Sequence, residues 1–120
     1  MRYRIALVFA LVPSLVAAAF LASAAVAARS ATVQKDTVLM FDFRFKLSKP
    51  TLHPGKVIFT LINRGHSIHN FSIQGVHTSP FLPPGGHSTF TVNMKAGKYY
   101  YLCTVPRHES LGMFGNLIVK

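Results

Sequence analysis

Acidic residues are nearly absent from this 120-residue chain: Asp36, Asp42 and Glu109 stand against thirteen lysines and arginines. An acidic docking face is therefore excluded. Cysteine is scarcer still. Cys103 stands alone, so no internal disulfide can brace the fold, and the thiol must be a buried small hydrophobe, an intermolecular thiol or a metal ligand. Helical periodicity is missing after the N-terminus, as are internal repeats and any second apolar run long enough to span a membrane. Lysines and arginines are scattered singly with no recognition motif, which argues against nucleic acid as a partner.

The N-terminus reads as an export signal. Arg2 and Arg4 precede an apolar run from Ile5 to Phe20, and small residues lead to Ala25-Val26-Ala27, an A-x-A cleavage pattern. We expect residues 1–27 to be a signal peptide and residues 28–120 a single domain, located in the periplasm or elsewhere in the extracytoplasmic envelope. An uncleaved anchor is the alternative, although Pro13, Ser14 and Ser23 interrupt the apolar run. Eleven basic residues against three acidic ones give the mature chain a net charge of +8 with neutral histidines. Such a field steers toward acidic protein faces or a membrane surface and makes association salt-sensitive. A domain of this length buries roughly 65% of its unfolded surface, enough for one core.

The mature chain is patterned for strands. Phe41, Phe43, Phe45 and Leu47 alternate with Asp42, Arg44 and Lys46, predicting one strand with a buried face. Val57 to Ile62 is apolar on both faces and suits an interior strand. Short strands are expected around Phe71 and Ile73, from Thr89 to Met94 with Phe90, Val92 and Met94 inward, from Tyr99 to Cys103, and from Phe114 to Val119. Asn63-Arg64-Gly65 and the Pro80–Gly86 stretch read as turn and loop, and Lys95-Ala96-Gly97-Lys98 as a hairpin-like turn. The fold class is all-β, an antiparallel β-sandwich. If Cys103 points inward, Tyr101 and Tyr99 share its face while Leu102 and Tyr100 face away.

Cys103 opens a run in which an imidazole and a thioether follow at five-residue steps, His108 and Met113. The segment is too broken by Gly and Pro to be a helical stripe. A thiolate, a thioether and two imidazoles form the donor set of a mononuclear electron-transfer copper centre. A second imidazole must come from another strand. His69, with Asn70 and Phe71 after it, is preferred to His66, which reads as an exposed loop residue. His53, His77 and His87 sit beside Pro, Gly or Ser and read as solvated, while Met40 and Met94 read as core.

His69-Asn70-Phe71, the Cys103-x4-His108-x4-Met113 run, its Tyr-Tyr-Tyr-Leu lead-in and the Met113-Phe114-Gly115-Asn116-Leu117 exit together resemble the cupredoxins, the blue-copper proteins, from about Val38 to Lys120. The resemblance implies a Greek-key sandwich with one type 1 copper held by His69, Cys103, His108 and Met113. It also implies a hydrogen bond between Asn70 and the Cys103 loop, with Thr104 as partner, and an apolar docking patch of Pro106, Leu111 and Phe114 around His108. Where some members carry an exposed tyrosine just before the cysteine, this chain has Leu102, which puts that second electron route in doubt.

The expected function is transfer of single electrons between redox proteins, such as a cytochrome or a terminal reductase or oxidase with an acidic docking face, by a monomer. Copper storage, delivery or resistance is the competing function. An enzyme is disfavoured: Leu102 and Thr104 flank the cysteine where a histidine relay to a second copper would start, and a dinuclear copper centre needs two bridging cysteines. Structural zinc would want more Cys and His, and no thioether.

Overall fold

The computed structural model describes residues 32–120; the expected signal peptide lies outside the described residues. Nine strands and no helix make up the described residues. They are β1 (Gln34–Phe41), β2 (Arg44–Leu47), β3 (Thr51–Leu52), β4 (Gly55–Asn63), β5 (Ser72–Ile73), β6 (His77–Thr78), β7 (His87–Met94), β8 (Gly97–Leu102) and β9 (Phe114–Val119). One sheet runs in the order β2-β1-β4-β7 and the other β3-β9-β8-β5-β6. The result is the expected sandwich, with a difference in pairing. Most neighbours are antiparallel, but β1 runs parallel to β4, and β3 parallel to β9. Hydrophobic alternation places a strand on a face and carries no information on its direction, so parallel partners were not legible.

The β4 strand lies between β1 and β7, an interior position. Its Val57, Phe59 and Leu61 are fully buried, while Ile58, Thr60 and Ile62 are half-buried on the outer face. Val38 and Met40 of β1, Phe71, Ile73, Leu117 and Val119 complete the core between the sheets. Burying each such side chain contributes about 1.5–3 kcal/mol. Aromatic rings bridge the layers: Phe45 meets Phe71 and Tyr101 edge-on at centroid distances of 5.2 and 5.5 Å. The parity of β8 is as expected, because Tyr99 and Tyr101 pack on the core while Tyr100 lies against Phe114.

Three local expectations are corrected. The alternation from Phe41 to Leu47 is two strands, since β1 ends at Phe41 and β2 begins at Arg44. The pair between them, Asp42 and Phe43, forms a tight turn in which Phe43 takes the left-handed backbone conformation with φ 63°. The turn leaves the period-2 pattern almost intact, which hid it. The Lys95–Lys98 segment is also no hairpin, because β7 and β8 belong to different sheets and the chain crosses between layers there. His77 is not solvated but half-buried in β6, with its ring stacked on Phe90 at 4.1 Å.

Candidate metal centre

Leu102 ends β8, and the next eleven residues form a loop that closes on itself. The Cys103 N–H donates to the Met113 carbonyl at 3.0 Å, and the Met113 N–H donates to the His108 carbonyl at 3.0 Å. His108 N–H to Val105 O at 3.1 Å and Gly112 N–H to Glu109 O at 2.9 Å tighten the turn inside. Arg107 and Gly112 adopt left-handed φ values of 73° and 108°, which let so short a loop reverse twice. Outside the loop, Tyr100 donates its hydroxyl to Glu109 at 2.8 Å. Backbone bonding thus shapes the loop. It carries Cys103 and Met113 into the core, 1% and 0% exposed, and leaves His108 half-exposed at the rim.

His69 reaches the same place from the other side. It pairs with Leu82 through two backbone hydrogen bonds of 3.1 and 2.7 Å, so the Pro/Gly-rich 80–86 stretch backs the histidine. Its ring is fully buried. The two segments are tied together by Asn70, whose amide donates to Thr104 Oγ1 at 2.8 Å and accepts from the Thr104 N–H at 2.7 Å. This is the bond expected from the sequence, made in both directions.

Three donor atoms therefore converge. His69 Nδ1 and His108 Nδ1 are 3.1 Å apart, and Cys103 Sγ lies 3.6 Å from His108 Nδ1 and 4.0 Å from His69 Nδ1. A circle through a triangle with those sides has a radius of about 2.1 Å, close to the ~2.0–2.1 Å and ~2.3 Å that imidazole nitrogen and thiolate sulfur keep from zinc, a similar ion. The residues therefore fit a metal ion that His69, Cys103 and His108 would hold together. Burial, followed by the neighbouring His69, pushes the His108 pKa below its ordinary value of 6.5, which keeps the ring a neutral donor at pH 7. Among the described residues this is the one place where three such side chains meet.

Asp42, a residue the sequence reading left unassigned, completes the surroundings. Its Oδ1 lies 3.0 Å from His69 Nε2. The carboxylate also accepts the His66 N–H at 3.0 and 3.1 Å and the Ser67 N–H at 3.1 Å, and its Oδ2 meets His66 Nδ1 at 3.0 Å. These bonds, the His66 N–H first and the His69 ring next, hold the Asp42 carboxyl well below the usual carboxylate range. His66 itself points to solvent, its side chain 97% exposed, and is not among the converging donors. Asn63 was also missed. It is buried, donates to the carbonyls of Ser67 and Leu82 at 2.9 and 2.8 Å, and accepts the Gly65 N–H, which shapes the 64–67 loop ahead of His69.

At the rim, Phe43, Pro106, Arg107, His108 and Leu111 line a shallow depression of about 250 Å³. Leu111 and Phe43 are 52% and 38% exposed. Phe43 was not foreseen here; its ring meets His108 edge-on at 5.1 Å. Phe114, expected in this patch, is exposed and lies 5.7 Å from Tyr100.

A two-sheet sandwich that brings two imidazoles and a thiolate together beside a buried methionine defines a mononuclear copper protein. Residues 11–119 match the family model of the cupredoxin-like domain, and the chain belongs to that family. It is 46% identical over 50 residues to a rusticyanin of Acidithiobacillus ferrooxidans, an alignment covering 40% of this chain and 32% of that protein. The chain thus spans about a third of the length of the curated relatives it matches. The solved structure of rusticyanin from Thiobacillus ferrooxidans superposes with a TM-score of 0.63 at 31% identity, covering 76% of this chain and 79% of the other. Reduced auracyanin from Roseiflexus castenholzii has a TM-score of 0.66 over 75% of this chain and 98% of its own, and at 21% identity it speaks for the fold alone. Family and donor set together support one type 1 copper.

Proposed function

We propose that this protein is an exported one-electron carrier whose copper is held by His69 Nδ1, Cys103 Sγ and His108 Nδ1, with Met113 as the weak fourth ligand. When bound, the copper supplies a one-electron Cu(II)/Cu(I) couple. The observation that carries the reading is a donor triangle fixed by backbone and Asn70–Thr104 hydrogen bonds within the protein itself. A site whose ligands are held by the fold changes little between oxidation states, which suits rapid exchange of electrons and hinders exchange of metal. The thioether and thiolate favour Cu(I), the imidazoles serve both states, and burial of Cys103 and Met113 keeps water from the soft donors.

Electrons then pass at the half-exposed edge of His108, where Phe43, Pro106 and Leu111 offer an apolar contact. The mature charge of +8 favours a redox protein with an acidic face around its own exit, located outside the cytoplasm. Independent catalysis is not part of the reading, because Leu102 and Thr104 offer no histidine relay from Cys103 to a second copper.

The test is to load the purified chain with Cu(II) and record its visible and electron-spin spectra. An intense blue thiolate-to-copper band is expected, lost in His69→Ala and kept in His66→Ala; no band in the wild type sinks the assignment. Salt-sensitive electron exchange with an acidic cytochrome, faster than passage of copper to a competing apoprotein, supports the carrier. The reverse order favours copper delivery.

A further inference from the structure

The β1–β2 turn belongs to neither ligand segment, yet it touches both imidazoles. Asp42 meets the distal nitrogen of His69, and the next residue, Phe43, lies edge-on to the ring of His108. We propose that this turn is the positioning element of the copper site, and that the Asp42 carboxylate sets the balance between Cu(II) and Cu(I). The inference deepens the copper reading and rests on it.

Several independent observations support it. With Nδ1 of His69 turned into the donor triangle, the ring proton must sit on Nε2, where Asp42 Oδ1 accepts it at 3.0 Å. That contact fixes the tautomer and the tilt of a ring that is fully buried. Asp42 in turn is fixed by the backbone N–H groups of His66 and Ser67. Gly65 shows how closely the 64–67 loop fits: a Cβ there would fall 2.5 Å from Asp42 Oδ1 and 2.8 Å from His69 Nε2. Phe43 adopts φ 63°, a conformation that bulky residues avoid, and in it the ring lies edge-on to His108. In a chain with three acidic residues, one of them is spent on a buried imidazole.

The chemical consequence follows from charge. A carboxylate hydrogen-bonded to the far nitrogen of an imidazole ligand makes the near nitrogen a stronger base. A stronger base and a nearby negative charge both stabilise the doubly charged ion more than the singly charged one. Replacing Asp42 by asparagine keeps the shape and an acceptor oxygen and removes the charge. Cu(II) affinity then falls by about 10–100-fold, as is usual when such an outer partner is lost. Cu(I) affinity falls less. Each tenfold excess in the loss of Cu(II) over Cu(I) raises the potential by about 59 mV.

The experiment measures Cu(II) and Cu(I) affinities by competition with chelators, and the potential at an electrode, for wild type, Asp42→Asn and Gly65→Ala. The expected result is a potential that rises in both variants with the blue band shifted but present, Gly65→Ala acting by pushing the carboxylate off His69. Affinities within about twofold of wild type and an unmoved potential overturn the inference. Should both variants fail to fold, nitrogen NMR of His69 in the wild-type Cu(I) protein decides. A slowly exchanging Nε2 proton supports the inference, and a freely exchanging one overturns it. A wild-type chain that shows no blue band fails the copper reading itself, whereas a blue wild type with an indistinguishable Asp42→Asn variant fails this inference alone.

Discussion

Thr104→Val should cost as much stability as Asn70→Ala although it breaks one hydrogen bond instead of two. The reason lies in which partner is buried. Asn70 is 1% exposed, whereas Thr104 is exposed. Asn70→Ala removes both the 2.8 and 2.7 Å bonds. At about 0.5–1.5 kcal/mol net for each, that is a loss of about 1–3 kcal/mol, since water reaches the Thr104 groups left behind. Thr104→Val keeps the volume and the backbone bond but strands the buried Asn70 amide without an acceptor, a penalty of about 1–3 kcal/mol by itself. In the double variant nothing buried remains unsatisfied, so its cost stays near that of Asn70→Ala. The double-mutant cycle therefore closes with a coupling of about 1–3 kcal/mol. For a domain of this size the single losses lower the melting temperature by about 4–8 °C per kcal/mol. Urea unfolding of the four proteins, copper-free and copper-loaded, measures the cycle. Additive effects, or a Thr104→Val variant within about 0.5 kcal/mol of wild type, refute the argument. Because Asn70 follows His69 and Thr104 follows Cys103, the same variants should also release copper faster to a chelator.

Two further perturbations probe the rest of the fold. In Gly115→Ala a Cβ would fall 2.5 Å from Cζ of Tyr101, forcing that ring from its place beside Phe45 and Phe71. A loss of about 1–3 kcal/mol is expected in thermal unfolding, and a melting temperature within about 2 °C of wild type contradicts it. Asp36 is buried with Oδ2 unpartnered, and burial raises its pKa above the unfolded 3.8 despite the opposing Ser48 hydrogen bond. Its contribution is therefore full below pH 3.8 and lost as pH rises through the raised folded value, while Asp36→Asn, which cannot titrate, keeps its contribution. Unfolding free energies from urea titrations across that window should move in favour of the variant by at most about 1.4 kcal/mol per pH unit, and a difference that shrinks with rising pH rejects the account.

What could be read from the sequence and what could not divide along a physical line. Cys103, His108 and Met113 share one short loop, so their spacing is itself the geometry, and the loop closes through the Cys103 to Met113 backbone bond. His69 was readable only because Asn70 and Phe71 stand beside it, and the Asn70–Thr104 bond was expected only through the resemblance to the cupredoxins. Asp42 left no such trace. It is 27 residues from His69 in sequence, it occupies a polar slot in an alternating run, and it looks like any solvent-facing strand residue. Its role arises because a turn after Phe41 and a parallel pairing of β1 with β4 carry that turn to the end of the sandwich where His69 lies. Neither the turn nor the strand direction is encoded in hydrophobic periodicity. Phe43 was misplaced for the same reason: assigned to a strand face, it lies in the turn and reaches His108. Ligands drawn from one loop can thus be found by counting residues, whereas the groups that orient them come from whichever segments the topology brings alongside. In this protein the two such groups that the sequence hid, Asp42 and Phe43, sit on one two-residue turn, and the electronic character of the site depends on a residue outside the motif by which the site was recognised.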